Sequence, residues 1–211
     1  MSNPKLAVPE LSTVQIGGHT RQAFLLRSAV AAGSVYGLST VGPFVKQAMA
    51  QEGGDVDILN FALTLEFLEA AYYEQGLEQV SGLAGPVEEI ATTLRDNENE
   101  HVDALTQAIN DLGGTPVEAP PVDFGDAFSS EAAFLELAQT FEDTGVSAYN
   151  GAAPNIESTD VLASAGAIVQ VEARHAAAIR QLREQPITPG AFDEPLEMDA
   201  VLEAVQPFIA S

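Results

Sequence analysis

Two short motifs in this 211-residue chain set a carboxylate three residues before an imidazole: Glu98-x-x-His101 and Glu172-x-x-His175. On a helix this spacing puts both side chains on one face, one turn apart, where they can hold a single metal ion between them. The chain has three histidines, and these motifs use two of them; His19 lies in the N-terminal leader with no evident partner. There is no cysteine. Disulfides and thiolate sites are therefore excluded, and a metal has to be held by carboxylate and imidazole, ligands that suit iron or manganese.

Helices are the elements that must position such motifs, and four helical segments are legible. Segment A runs from about residue 55 to 79, B from 86 to 112, C from 130 to 150 and D from 158 to 184. Asp55, Ser130 and Ser158 are suited to N-caps and Pro86 to a first helical turn, while Gly113-Gly114 is suited to closing B. No stretch alternates convincingly as a strand, so the class is all-α. Heptad frames laid on the segments collect apolar residues and six ionisable ones: Glu66 in A, Glu98 and His101 in B, Glu142 in C, Glu172 and His175 in D. All six fall mid-helix and should converge at one depth of a bundle. Four carboxylates buried together would each cost several kcal/mol without a cation to offset them. Segment A also carries a second apolar stripe through Phe61, Leu65, Leu68 and Tyr72.

The pattern repeats internally. Glu66 precedes Tyr73 by seven residues, as Glu142 precedes Tyr149, which sets each tyrosine two turns along the face of its own glutamate. These tyrosines either orient the carboxylates by hydrogen bonds or are plain core aromatics. Two helix hairpins result, A with B and C with D, each supplying one glutamate and one Glu-x-x-His. The 16 residues from Gly114 to Ser129 include Pro116, Pro120 and Pro121 and can extend about 50 Å. A 25-residue helix is only about 38 Å long. The linker can thus cross the bundle and leave B and C parallel. Glu69 and Glu100 would reach the site if a helix rotates, but solvated faces are the expectation for both, with Arg95 and Arg174 in pairs with surface acids or acids beside the site.

Charge is strongly asymmetric. Lys5, Arg21, Arg27 and Lys46 against Glu10 give the first 50 residues a net charge of +3, leaving −26 on the rest, whose four basic residues are all arginine. Nucleic acid is an unsuitable partner for such a surface. A lysine-free acidic surface resembles proteins of salt-loving microbes. Residues 1–19 show no periodicity and read as a disordered leader. Thr20 to Leu25, the weakly apolar run Ser28 to Val45 and Ala48-Met49-Ala50 outline an export signal, similar to a twin-arginine signal but with Gln22 in place of the second arginine. The run is glycine-interrupted and short for a stable membrane span. Cleavage after Ala50 would leave residues 51–185 as the bundle and residues 186–211 as a tail packed on it, with an exported, extracellular or cell-surface location.

One glutamate on each of two helices and Glu-x-x-His on each of two others resembles the ferritin-like di-metal carboxylate superfamily, matched over residues 55–185. Asp57-Ile58-Leu59-Asn60-Phe61-Ala62-Leu63-Thr64-Leu65-Glu66 and the tail from Phe192 to Ile209 resemble its exported, desiccation-related branch. The resemblance implies a ferritin-like four-helix bundle with a long B–C crossover and a short C-terminal helical tail. It implies two iron ions, or alternatively manganese, bridged by Glu98 and Glu172, with Glu66 and Glu142 as terminal ligands and one histidine on each metal. Tyr73 and Tyr149 would orient the carboxylates. The implied partners are metal ions and small oxidants, with a homo-oligomer allowed. The implied activities are ferroxidase, peroxidase or catalase-like; the alternative is a non-catalytic exported bundle with a structural or stress-protective role.

The charge distribution makes one expectation testable directly. Screening lengths fall to about 3 Å at 1 M salt, so the thermal midpoint should rise as sodium or potassium chloride is added. A midpoint that is flat with salt would count against a halophilic surface.

Overall fold

Four long helices carry the chain through the computed structural model, which describes residues 15–16, 19–20 and 54–210. They are α1 (Asp55–Gln79), α2 (Gly85–Asp111), α3 (Glu131–Ala152) and α4 (Thr159–Leu182), followed by a short α5 (Met198–Val205). The all-α class holds, and each long helix ends within two residues of its expected segment. Ser130 caps α3 by accepting from the Ala133 N–H, and Ser158 caps α4 by accepting from the Val161 N–H. Pro86 sits in the first turn of α2. Gly113, at φ 78°, lets its own N–H reach Asn110 O while the Gly114 N–H reaches Ile109 O, the paired bonds that close a helix on a left-handed residue.

Asp55 is not a cap. Gly54 holds that position, and Asp55 is the first helical residue. Its carboxylate instead accepts from the Glu157 N–H at 2.7 Å and the Ser158 N–H at 2.8 Å, which ties the start of α1 to the turn before α4. Local sequence showed a suitable acid but not its partner a hundred residues away.

Helix directions follow from such contacts. Gly76, near the end of α1, faces Phe134 near the start of α3, so α1 and α3 are antiparallel. The Ala84 N–H, just before α2, donates to Glu131 at the start of α3, so α2 and α3 begin at the same end and run parallel. Within each hairpin the helices pack on each other, α1 on α2 and α3 on α4. The crossover leaves α2 beside Asn60, whose carboxamide accepts from the Val117 N–H and donates to Thr115 O. It then reaches Phe124, edge-on against Tyr72, twelve residues further along α1, or about 18 Å of helix rise.

Two apolar clusters flank the middle of the bundle. One joins Leu68, Tyr72, Phe134 and Phe141 to the crossover and α5; the other joins Leu59, Leu63, Leu105, Ile109 and Ile168. The two stripes on α1 are explained by this arrangement. One faces the bundle interior, and Phe61, Leu65, Leu68 and Tyr72 belong to the cluster that includes Phe124, Val201, Leu202 and Val205. The tail also pairs with the crossover: Asp123 N–H donates to Phe208 O and Ala210 N–H to Pro121 O.

In the leader, β1 (Gln15–Ile16) pairs antiparallel with β2 (His19–Thr20), with Gln15 opposite Thr20. The rest of residues 1–19, read as a disordered leader, lies outside the described residues. The export-like run from Ser28 to Val45 and the cleavage position after Ala50 lie outside the described residues. Among the described residues no helix is long and apolar enough to cross a membrane.

Gly151 makes the tail's docking testable. The Leu196 N–H donates to Ser147 O at 3.0 Å, and a Cβ on Gly151 would collide with the Leu196 backbone. Gly151→Val should lower unfolding free energy by about 1–3 kcal/mol in urea titration. Gly166→Ala, where nothing lies within 4 Å, should be neutral or stabilising. Equal effects would show that the tail is not held at this point.

Candidate metal centre

Each of the four long helices brings its seam residues to the same level of the bundle. Glu66 comes from α1, Glu98 and His101 from α2, Glu142 from α3, and Glu172 and His175 from α4. All four glutamates are fully buried, with His101 at 9% and His175 at 4% exposure. The six fall into two overlapping groups, Glu66, Glu98, His101 and Glu172, and Glu98, Glu142, Glu172 and His175, within each of which one ligand atom per residue lies within 4.8 Å of the others. Glu98 and Glu172 are common to both. His101 Nδ1 is 2.9 Å from Glu98 Oε2, 3.1 Å from Glu172 Oε1 and 3.2 Å from Glu66 Oε2. His175 Nδ1 is 2.8 Å from Glu98 Oε1, 3.4 Å from Glu142 Oε2 and 3.8 Å from Glu172 Oε2. Each imidazole thus faces one glutamate of its own and one oxygen from each shared glutamate.

Of these contacts, only those of His101 Nδ1 with Glu98 Oε2 and Glu66 Oε2 have hydrogen-bond geometry. Glu98 Oε1, Glu142 Oε2, both oxygens of Glu172 and His175 Nδ1 are buried with no hydrogen-bond partner among the described residues. Orphaned acceptors in such number are rare in folded proteins, where nearly all buried polar atoms are paired. Lone pairs that converge on a common point and not on one another's protons fit cations bound between them. The donor set, all oxygen and imidazole, fits iron or manganese.

Electrostatics point the same way. Burial alone would lower the pKa of both histidines, yet Glu172, Glu66 and Glu98 hold His101 at about 12, and Glu142, Glu172 and Glu98 hold His175 at about 12. In the metal-free chain the imidazolium ions are the positive charges among the acids. Burial would raise Glu98, but its contacts with the two histidines bring it down to about 2. Glu142 is raised by burial to about 8, despite His175. Burial and then Glu172 push Glu66 well above the usual carboxylate range. Metal binding must displace the imidazole protons, and so releases protons to solvent.

The tyrosines are more than core aromatics. The Tyr73 hydroxyl donates to Glu142 Oε1 and the Tyr149 hydroxyl to Glu66 Oε1. The pairing is exchanged relative to expectation: each tyrosine reaches the glutamate of the other hairpin, because α1 and α3 face each other antiparallel. The Asn97 amide nitrogen lies 3.0 Å from His175 Nε2, and oxygen and nitrogen of such an amide exchange places on a half-turn. With its amide oxygen turned to the ring it accepts the Nε2–H and leaves Nδ1 bare for a metal. Asn97 precedes Glu98 directly, and nothing in its spacing marked it.

Glu69 corrects the sequence reading. It is 3% exposed and faces the cluster, its carboxyl raised well above the usual range by burial and then by Glu172, Glu142, Glu66 and Glu98. It stands one turn after Glu66, and α1 is buried on both stripes, so a solvated face was not available to it. Glu100 is exposed as expected. Arg95 pairs with Asp96 at 2.7 Å and approaches Glu74 at 3.6 Å; Arg174 makes no ion pair among the described residues.

Comparison with known proteins gives a family and a fold. A family model described as "Ferritin-like domain" matches residues 54–185. Among solved structures, a ferritin-like, diiron-carboxylate protein from Bacillus anthracis str. Ames is similar at 22% identity and a TM-score of 0.54, over 67% of this chain and 98% of that one. A conserved hypothetical protein from Mycobacterium tuberculosis is similar at 18% identity and a TM-score of 0.54, over 65% of this chain and 96% of that one. No curated protein matches the chain.

The buried groups predict how stripped protein responds to pH. Glu66, Glu69 and Glu142 keep protons above the ordinary carboxylate value of 4.5, and both histidines keep theirs above 6.5. The folded chain therefore binds more protons than the unfolded one, and stability falls as pH rises. The histidine contribution is complete below 6.5 and lost towards about 12. Glu98 acts oppositely, its contribution present above 4.5 and lost towards about 2. After chelation, the thermal midpoint should fall from about pH 5 to about pH 8, less steeply in Glu142→Gln and less steeply after metal is restored. A midpoint that climbs over this range in stripped protein would refute the charge assignment.

Proposed function

The chain belongs to the ferritin-like domain family, and from that premise we propose that it binds two metal ions, iron first and manganese as the alternative, and acts as an oxidoreductase on ferrous iron, peroxide or dioxygen. One observation carries the reading. Glu98 and Glu172 each offer one oxygen to His101 and the other to His175, so two ions placed at the histidines would share both carboxylates. The Bacillus anthracis neighbour is described as a diiron-carboxylate protein, which favours iron. A pair of adjacent redox-active ions supplies two electrons at one place and leaves positions for a small oxygen-containing molecule.

The chain's own residues have definite tasks in this reading. Glu66 with His101, and Glu142 with His175, would each complete the hold on one ion. Tyr149 and Tyr73 fix the orientation of Glu66 and Glu142 through their hydroxyls. Asn97, with its amide oxygen turned to the ring, would fix the tautomer of His175. The apolar clusters on either side exclude bulk water, which strengthens every charge interaction inside.

Elemental analysis of purified protein should find about two metal ions per chain. Glu98→Ala and Glu172→Ala should lower that occupancy roughly 10-fold or more at limiting metal, whereas Glu100→Ala should leave it unchanged. Iron-loaded wild type should consume peroxide or dioxygen faster than free ferrous ion, and His101→Ala and Glu142→Ala should lose this while retaining the helical circular dichroism signal. Two irons bound without any faster consumption would favour the non-catalytic alternative. No bound metal would remove both.

A further inference from the structure

Glu69 is the buried acid that a six-ligand centre leaves without a task. No hydrogen bond or ion pair to it exists among the described residues, although it is 3% exposed. The repeat that aligns Glu66 with Glu142 and Tyr73 with Tyr149 aligns Glu69 with Gly145. At equivalent places, then, one hairpin supplies a long acid and the other no side chain. The two meet: a Cβ on Gly145 would sit 3.2 Å from Glu69 Oε1 and 3.5 Å from Glu172 Oε2. The space over Gly145 therefore connects Glu69 with a carboxylate shared by both histidines. Glu69 and Gly145 together line a tight crevice with Leu65, Leu68, Phe141, Thr144 and Val205, between α1, α3 and α5. The lining is apolar except for Glu69 and Thr144, and the Thr144 hydroxyl is engaged by Thr140 O. The crevice is too tight to hold water without side-chain motion.

We propose that Glu69 is a transit ligand, which takes a divalent cation arriving through this crevice and passes it over Gly145 to Glu172. A hard cation sheds water reluctantly, and an apolar passage offers it nothing in return. A single ionisable acid at the inner end supplies the oxygen that makes the last dehydration tolerable. Once the ion is held by the shared carboxylates, Glu69 is no longer needed. Its loss therefore slows loading and leaves final occupancy intact. This rests on the two-metal reading.

The test uses full-length protein stripped by chelation and mixed with cobalt(II), uptake being followed by stopped-flow absorption and the endpoint by elemental analysis. Wild type, Glu69→Gln and Gly145→Ala should all reach about two cobalt ions per chain. Glu69→Gln should load roughly 10-fold more slowly, and Gly145→Ala, which narrows the handover, should also be slow. Glu69→Asp should recover part of the rate. Loading of Glu69→Gln at the wild-type rate overturns the proposal and leaves the metal centre standing. A Glu69→Gln endpoint one ion short also overturns it, since Glu69 would then be a permanent ligand. Wild type that takes up no cobalt removes the metal reading and this one with it. Circular dichroism separates slow loading from misfolding, and if Glu69→Gln does not fold, the Gly145→Ala rate decides alone.

Discussion

Burying five carboxylates at one level of a small bundle is the constraint on which the rest of this structure depends. Water would stabilise each of them by several kcal/mol more than an apolar interior can, so the bundle has to supply compensation on every side. Two imidazoles provide positive charge, and two tyrosine hydroxyls donate to the outer glutamates. The remaining acceptors are left facing one another. Such an arrangement is tolerable only if the helices are held so firmly that the acids cannot move apart into water. Apolar clusters above and below the site, the crossover pinned to Asn60, and the tail across α1 and α3 all serve that end.

How much of this was legible follows from where each signal lives. The Glu-x-x-His motifs are local, and helix periodicity turns their spacing directly into a shared face; the structure brings all six seam residues together. The helix limits were legible for the same reason, since Ser130, Ser158, Pro86 and Gly113 act within their own turn. Asp55 failed as a cap because its partners, the Glu157 and Ser158 amides, come from another connection. Glu69 was misplaced because a heptad frame buries one stripe of a helix, and α1 is covered on two. The comparison of Glu69 with Gly145 across the repeat was available in the sequence and would have marked a place where the hairpins differ beside the site.

That difference matters for the symmetry of the centre. The two histidine-centred groups are near copies in ligand type, but only one side of the shared Glu172 has a fifth acid next to it. The field along the line joining the two histidines is therefore uneven. Any two ions held there would differ in their surroundings.

The exchanged tyrosines carry a consequence for how the protein comes together. Tyr73 completes the surroundings of a glutamate in the second hairpin, and Tyr149 does so for one in the first. Neither hairpin, folded by itself, owns a finished half of the site; each holds the other's missing piece. The arrangement works as an interlock between the two hairpins. Hairpins that exchange parts in this way cannot be altered independently: a change at either tyrosine is felt at a glutamate some seventy or eighty residues away in sequence, on the far side of the crossover.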